Sequence, residues 1–242
     1  MKYAVIAAGE GSRLAKEGVN DPKPLVRING ERLVDRLIRV FMENGAEEIV
    51  IICNDFMAGV KEHLETIQRE GLDGKNIPLQ LVVKSTPSSM HSFFEISRYL
   101  TDAPFCLTTV DTIFREDDFK RYISAFQACI NDGNADGMMG VTDYIDDEKP
   151  LYVSTDESLN ITGFLDKDNE CRFISGGIYG LTPKSIDILK RCIERGESRM
   201  RNFQRALVNE GCSLKAYPFS KVLDIDHASD IQKAEQFLNS EA

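Results

Sequence analysis

The sequence predicts an α/β protein, a single Rossmann-like domain of three layers with a mainly parallel, mixed sheet. Apolar runs alternate with amphipathic stretches through most of the first half, which is the βαβα rhythm of a doubly wound sheet. The second half is richer in strand-like runs, and no linker, repeat or low-complexity tract divides the chain. Length alone would permit two small domains, but these observations favour one domain over residues 1–242.

The first strand, residues 3–8, is an apolar run without polar alternation, as expected of a strand buried on both faces of a sheet. Leu33, Leu37 and Phe41 lie on one face of a helix that should end near Asn44. Ser92 and Glu95 have the spacing of a capping box, which predicts a helix from there to residue 100. Further strands are predicted at residues 49–53, 79–83, 105–109, 138–142, 151–154, 161–165, 173–181, 214–217 and 222–225, and further helices at 57–70, 116–130, 184–194, 201–210 and 230–238.

Composition restricts the partners that this chain can have. Hydrophobic content of 42% with 28% charged residues is typical of a soluble globular protein, and with no membrane span or leader in the sequence we expect a cytoplasmic one. The net charge of -10 argues against binding to nucleic acid or an anionic membrane. The six cysteines include no CxxC pair, so neither a zinc site nor a disulfide framework is expected.

The end of the first strand carries the strongest functional signal. Residues 9–13, GEGSR, form a glycine turn that brings backbone amides close to a ligand, and Arg13 adds a guanidinium. Lys23 stands between Pro22 and Pro24, whose rings restrict the backbone around it. Backbone amides, a guanidinium and an ammonium within one strand-loop unit predict a site for a polyphosphate.

Two common phosphate-binding motifs do not fit this loop. A dinucleotide-binding Rossmann site needs a third glycine where this chain has Leu14, and a Walker P-loop needs Gly-Lys followed by Ser or Thr. The remaining pattern, Ala-Gly-x-Gly-x-Arg followed by Pro-Lys-Pro, resembles the signature of the nucleotidyltransferases that make nucleotide sugars. The resemblance implies a fold of the nucleotide-diphospho-sugar transferase type. It also implies a nucleotide-binding half at about residues 1–135 and an acceptor-binding half at about residues 136–242.

Two aspartates at strand ends form a second signal. Asp111 should lie at the carboxyl edge of a buried strand, where ligands gather in open α/β sheets, although an aspartate there can equally cap the next turn. Alternation places Asp224 and Asp226 on the same side of a late strand, which suits a metal or a hydrogen-bonded scaffold. By the resemblance, Asp111 and Asp226 hold Mg²⁺ across the nucleotide phosphates.

A third signal lies in the second half, where Asp166 and Lys167 precede a strand that contains Ser175 and Gly177. A hairpin with an exposed lysine and a glycine bulge explains this pattern without any function. The resemblance implies instead that Lys167 contacts the acceptor phosphate and that Ser175 and Gly177 belong to the acceptor site. The family often has asparagine where this chain has Ser175, so the identity of the sugar stays open.

Thr86, Ser88 and Ser89 occupy the place where the family commonly has Gln-x-Gly-Thr/Ser to read the base. Their hydroxyls can bind a base edge or cap the following helix. Because the glutamine and glycine are missing, the base is not assigned. By the resemblance the nucleotide-binding residues are Ala8, Gly9, Gly11, Ser12, Arg13, Lys23, Thr86, Ser88 and Ser89, with Arg13 and Lys23 catalytic.

The favoured function is transfer of a nucleotidyl group from an NTP to a phosphorylated acceptor, foremost a sugar 1-phosphate, giving an NDP-sugar and pyrophosphate. A phosphate monoester is largely dianionic at pH 7 because its second pKa is about 6, so no general base is needed. One alternative is a cytidylyltransferase acting on phosphocholine or another small phosphorylated alcohol. Others are a metal-dependent glycosyltransferase, because Asp224 and Asp226 form a D-x-D motif, and a nucleotide-sensing domain. The expected partners are an NTP, Mg²⁺ and a phosphorylated small molecule, while the oligomeric state stays open.

Overall fold

A nine-stranded mixed sheet runs through the part of the chain that the computed structural model describes, residues 1–9, 11–146, 148–168 and 170–240. The strands of these ranges are β1 (Lys2–Ala7), β2 (Arg27–Ile28), β3 (Glu31–Arg32), β4 (Glu48–Cys53), β5 (Leu79–Val83), β6 (Phe105–Thr109), β7 (Thr112–Phe114), β8 (Gly137–Thr142), β9 (Tyr152–Thr155), β10 (Ile161–Leu165), β11 (Phe173–Leu181), β12 (Leu214–Pro218) and β13 (Val222–Asp224). The helices are α1 (Ser12–Lys16), α2 (Leu33–Glu43), α3 (Ala58–Glu70), α4 (Ser89–Ser97), α5 (Glu116–Asn131), α6 (Lys184–Glu194), α7 (Met200–Asn209) and α8 (Ala228–Asn239).

The strands β5, β4, β1 and β6 lie side by side and parallel, with Val5 of β1 opposite Ile51 of β4 and Thr108 of β6. Strand β11 adds antiparallel to β6 and also pairs antiparallel with β8, while β12 adds parallel to β8. The N-terminal end of β11 pairs with β9, and β9 pairs with β10. The predicted fold class, an α/β protein with a mainly parallel mixed sheet, is confirmed.

Two hydrophobic clusters pack on the opposite faces of this sheet, which gives the three layers. Tyr3 and Val5 of β1 belong to the cluster with α2, α3, α5 and α8, whereas Ala4 and Ile6 belong to the cluster with α4, α6 and α7. Both faces of β1 are therefore buried, which explains its uninterrupted apolar sequence. In the described part of the chain, no helix is both long enough and apolar enough to cross a membrane.

Most predicted elements agree with the structure to within a few residues, but the start of one helix was wrong. Helix α4 begins at Ser89, not at Ser92, and its N-cap is Ser88. Ser92 is buried inside the helix and its hydroxyl contacts the hydroxyl of Thr86 at 2.6 Å, so it is not a cap. The spacing from Ser92 to Glu95 was therefore a coincidental match to the capping box.

Candidate active site

The loop that follows β1 turns sharply at Gly11. Gly11 has a φ of 62°, a left-handed conformation that residues with a Cβ rarely adopt, and it forms the N-cap of α1. A Cβ atom at this position would lie 3.2 Å from Cβ of Lys23, closer than an ordinary van der Waals contact. A glycine here therefore lets the loop pack directly against Lys23. Glu10, the second residue of the GEGSR motif, lies outside the described residues.

Lys23 opens a short 3₁₀ turn, Lys23–Leu25, with Pro22 before it and Pro24 after it. Only 10% of its side chain is exposed, and Nζ donates hydrogen bonds to Oδ2 of Asp111 and Oδ1 of Asp226, both at 2.7 Å. Burial by itself lowers the pKa of the Lys23 ammonium, but attraction to Asp111 and the bonds to both carboxylates outweigh it and raise the pKa to about 12. Lys23 is therefore charged at physiological pH.

A short antiparallel ladder brings the two aspartates together. Strand β13 pairs with β7 so that Asp224 lies opposite Thr112, and the amide of Ile225 donates to the carbonyl of Asp111 at 3.1 Å. Ile225 is fully buried, whereas Asp224 and Asp226 line one cavity, as alternation along a strand predicts. The end of β6 and the end of β13 thereby present their carboxylates to the same point.

Arg13 is the second cation at this point. Its guanidinium donates to Oδ2 of Asp226 at 3.0 Å, so the two oxygens of that carboxylate are held by two different cations. Burial alone would raise the pKa of Asp226, but the hydrogen bond from Lys23 and the charges of Lys23 and Arg13 hold that pKa below its ordinary value. Asp226 is therefore ionised at neutral pH.

A cavity of about 310 Å³, here called the Lys23 cavity, opens at the carboxyl ends of β1 and β6. It collects seven of the residues that the sequence singles out: Ala8, Gly9, Lys23, Thr86, Ser88, Ser89 and Asp111. Its lining also includes Ser92 and Thr109, which sequence reasoning missed. Ser92 lies three and four residues after Ser89 and Ser88, so the helical period was a usable signal for it.

The hydroxyls along this cavity are held by other side chains and by the backbone. Thr86 contacts Ser92, and Ser88 contacts Nδ1 of His91 at 2.9 Å. The amide of Arg199 donates to the hydroxyl of Ser88 at 3.2 Å, which joins the start of α7 to the start of α4. The serine and threonine side chains thus form a preorganised polar surface in the cavity that Lys23 also lines.

A second cavity of about 220 Å³, here called the Arg13 cavity, lies on the other side of Asp226. Arg13, Ser175, Gly176, Asp224 and Asp226 are among its lining residues. The ammonium of Lys23 lies between the two cavities, because Asp111 lines the first and Asp226 lines the second. A ligand in either cavity therefore meets the same cluster of charges.

Strand β11 carries the predicted acceptor residues past this cluster. The pairing of β11 with β8 shifts register between Ser175 and Ile178, an irregularity that agrees with the glycine bulge of the alternative without a function. Gly177 has a φ of 69°, and a Cβ there would lie 3.1 Å from Oγ1 of Thr112, next to Asp111. The hydroxyl of Ser175 donates to Oε1 of the buried Gln204 at 2.9 Å.

Lys167 is a predicted site residue that the structure does not bring to the cluster. It is exposed in the bend after β10, and it is not among the described residues that line either cavity. Its neighbour Asp166 is held by Arg201 at 2.8 Å and by Arg205 at 2.6 Å. These two arginines of α7, which the sequence does not single out, thus fix the carboxylate next to Lys167.

The two aspartates offer the oxygen ligands that Mg²⁺ takes in proteins. Both carboxylates contact one Nζ at 2.7 Å, so their oxygens converge on a point that the Lys23 ammonium occupies, and Mg²⁺ would bind beside the ammonium or replace it there. Within the described ranges, no group of three or more His, Cys, Asp or Glu side chains is arranged to hold a metal by itself. Mg²⁺ commonly binds through one or two carboxylates, with water and substrate phosphates as its other ligands. A two-carboxylate site completed by a nucleotide therefore fits the residues present.

A glycine loop, a buried lysine and two strand-end carboxylates at one edge of a parallel sheet define a class of α/β proteins built to hold phosphorylated ligands. The chain belongs to the nucleotidyl transferase family, because a sequence model of that family matches residues 2–241. The resemblance identified from residues 8–13 and 22–24 is thus confirmed.

Curated relatives extend this family assignment. The chain is 25% identical, over 100% of its length and 98% of the relative, to the UTP–glucose-1-phosphate uridylyltransferase AglF of Haloferax volcanii. Over 50% of its length it is 29% identical to the bifunctional IPC transferase and DIPP synthase of Thermococcus kodakarensis, but it spans only 26% of that relative.

Among solved structures, the inositol-1-phosphate CTP transferase from T. maritima has a TM-score of 0.79 and 21% identity, covering 100% of this chain and 97% of that one. At this level of identity, the similarity shows a shared fold. The predicted nucleotide-diphospho-sugar transferase fold is confirmed by such neighbours.

Proposed function

We propose that the chain is a Mg²⁺-dependent nucleotidyltransferase that transfers NMP from an NTP to a sugar 1-phosphate, releasing pyrophosphate. One observation carries this proposal: the buried ammonium of Lys23 lies between Asp111 and Asp226, while the backbone and Cβ of the same residue pack against Gly11 of the glycine loop. Phosphoryl chemistry needs positive charge around the reacting phosphorus, and Lys23 and Arg13 meet here, each paired with a carboxylate in the absence of a ligand. The whole-length similarity to a UTP–glucose-1-phosphate uridylyltransferase favours a sugar 1-phosphate as the acceptor.

In this mechanism a phosphate oxygen of the acceptor attacks the α-phosphorus of the NTP in line, and the bond from that phosphorus to the bridging oxygen of pyrophosphate breaks. Lys23 stabilises the charge that develops on the α-phosphate. Arg13 and the amides of the loop at residues 9–12 hold the β- and γ-phosphates. Asp111 and Asp226 would hold Mg²⁺, which supplies further charge neutralisation when bound. Because the acceptor phosphate is already dianionic near pH 7, no side chain has to remove a proton.

The proposal assigns the two cavities to the two substrates. The base of the nucleotide occupies the Lys23 cavity beside Thr86, Ser88 and Ser89, and its β- and γ-phosphates extend past Lys23 to Arg13 at the border of the second cavity. The acceptor occupies the rest of the Arg13 cavity, beside Ser175. Gly177 and Lys167 line neither cavity, and their roles toward the acceptor rest on the sequence resemblance. In this scheme, residues 1–135 serve the nucleotide, residues 136–242 serve the acceptor, and the chain acts as one domain.

A small phosphorylated alcohol is the second candidate acceptor. The Arg13 cavity is only about 220 Å³ and carries several carboxylates, among them Asp146, Asp224 and Asp230. A cationic alcohol phosphate such as phosphocholine would be attracted by such a lining. This candidate keeps the same reaction and differs only in the acceptor.

A pyrophosphate-release assay tests both candidates. The four common NTPs are crossed with a panel of sugar 1-phosphates, phosphocholine and inositol 1-phosphate, with and without MgCl₂. We expect pyrophosphate from one triphosphate with one class of acceptor, and only with the divalent cation. No pyrophosphate with any pair, together with turnover of a nucleotide sugar, would establish the glycosyltransferase alternative instead.

A further inference from the structure

Glu17 joins the short helix after the glycine loop to the start of α8. Its Oε2 accepts a hydrogen bond from the amide of Ala228 at 2.7 Å, and its Oε1 contacts Nδ1 of His227 at 2.7 Å. Ala228 is the first residue of α8, so Glu17 satisfies an amide that has no partner within its own helix. A carboxylate at a helix N-terminus is also favoured by the helix dipole.

The same short helix contacts residue 226 through Arg13. The amide of Glu17 donates to the carbonyl of Arg13 at 3.2 Å, so the two side chains belong to one rigid turn. Arg13 holds the carboxylate of Asp226, while Glu17 holds the two residues that follow it. Among the described residues, these two side chains make the polar contacts of this helix with other elements.

Nucleotide binding removes the contact between Arg13 and Asp226. Under the proposed function, on which this inference rests, Arg13 turns from Asp226 to the β- and γ-phosphates. The polar link between the glycine loop and the end of β13 is then carried by Glu17, with Leu14 buried beneath the loop. We propose that Glu17 is a positioning residue that holds the glycine loop in register with Asp226 in the nucleotide-bound state.

The inference is tested with equilibrium binding of UTP and CTP in MgCl₂, together with steady-state kinetics and thermal unfolding. In Glu17→Ala we expect the Kd and KM for the triphosphate to rise about tenfold, equivalent to about 1.4 kcal/mol. The KM for the acceptor should stay within about twofold. The Tm of the nucleotide-free protein should fall only by the few degrees expected for loss of one helix cap, because Arg13 still holds Asp226 there. The thermal shift that the triphosphate induces should shrink.

Two further variants make the result specific. Glu17→Gln keeps an oxygen that can accept from Ala228, so its affinity for the triphosphate should lie between wild type and Glu17→Ala. Glu65→Ala removes an exposed carboxylate paired with Lys61 on α3, and should match wild type in every readout. An unchanged triphosphate Kd in Glu17→Ala would overturn the inference, and so would an equal loss for both substrates with a lowered Tm. If wild type itself binds none of the four common NTPs, the proposed function fails first.

Discussion

Replacing Lys23 by methionine removes one buried charge and keeps most of the side-chain volume. Raising the pKa of the ammonium from 10.5 to about 12 corresponds to about 2 kcal/mol of net favourable interaction in the folded state. The side chain is only 10% exposed, so this interaction is weakly screened by solvent. We therefore expect Lys23→Met to lose about 2 kcal/mol of unfolding free energy at pH 7. Repulsion between Asp111 and Asp226, which face each other without the ammonium, adds to the loss.

The pH dependence of this loss follows from the direction of each pKa shift. The folded-state pKa of Lys23 lies above its ordinary value, so its contribution is complete below pH 10.5 and disappears as the pH rises through about 12. The folded-state pKa of Asp226 lies below its ordinary value of 3.8. Its contribution is therefore complete above pH 3.8 and disappears as the pH falls through the folded-state pKa. The difference in unfolding free energy between wild type and variant should be constant from about pH 6 to 9 and become smaller in acid, where Asp226 is protonated.

Urea unfolding monitored by circular dichroism measures this gap, with Lys61→Met as the matched control. Lys61 is a half-exposed lysine whose carboxylate partner lies 3.7 Å away, so its loss should cost less than about 0.5 kcal/mol. The turnover of Lys23→Met should also fall by roughly 10²-fold, as for a lost oxyanion donor. If both lysine variants unfold at the same urea concentration as wild type, the Lys23 ammonium does not stabilise the fold by linking Asp111 and Asp226.

Three further outcomes are expected. Asp111→Asn and Asp226→Asn should each impair Mg²⁺-supported turnover while circular dichroism stays native, and full activity in either variant would remove that residue from the cation site. Lys167→Ala should raise the acceptor KM in steady-state kinetics with little change in the NTP KM, whereas unchanged constants would return this lysine to the role of an exposed turn residue. Gly11→Ala should lower the free energy of unfolding in urea by about 1–2 kcal/mol, because residue 11 has a left-handed φ and contacts Lys23. Gly9→Ala should lower it much less, because no atom lies within 4 Å of the added Cβ. Equal losses in the two variants would contradict this expectation.

The sheet and its long helices were predictable because each repeats a simple pattern of burial. Strand β1 reads as one apolar run since both of its faces are covered, and α2 shows its apolar face at helical spacing. The short elements next to the site were not predicted: α1, the 3₁₀ turn at Lys23 and the strand β7. Each is three to five residues long, too short for a period, and is held by contacts with distant parts of the chain.

The candidate site likewise contains residues that the sequence identifies and residues that only the structure reveals. The glycine loop, Lys23, Asp111 and Asp226 stand out because their residue types and neighbours are unusual in sequence. Glu17 could not be found in this way, because a glutamate near the end of a helix is common and its partners are about 210 residues away. Only the folded chain shows that it caps another helix. Lys167 stands out in the sequence, but it lies outside both cavities.

The central claim is that an acceptor phosphate attacks the α-phosphorus of an NTP. Parallel reactions with NTP labelled at the α- or the γ-phosphorus, the protein, MgCl₂ and the acceptor panel test it directly. The account predicts that the α-label appears in a product that also contains the acceptor, that the γ-label appears in pyrophosphate, and that neither product forms without acceptor. Label from the α-phosphorus found only in free NMP or NDP, regardless of acceptor, would contradict it.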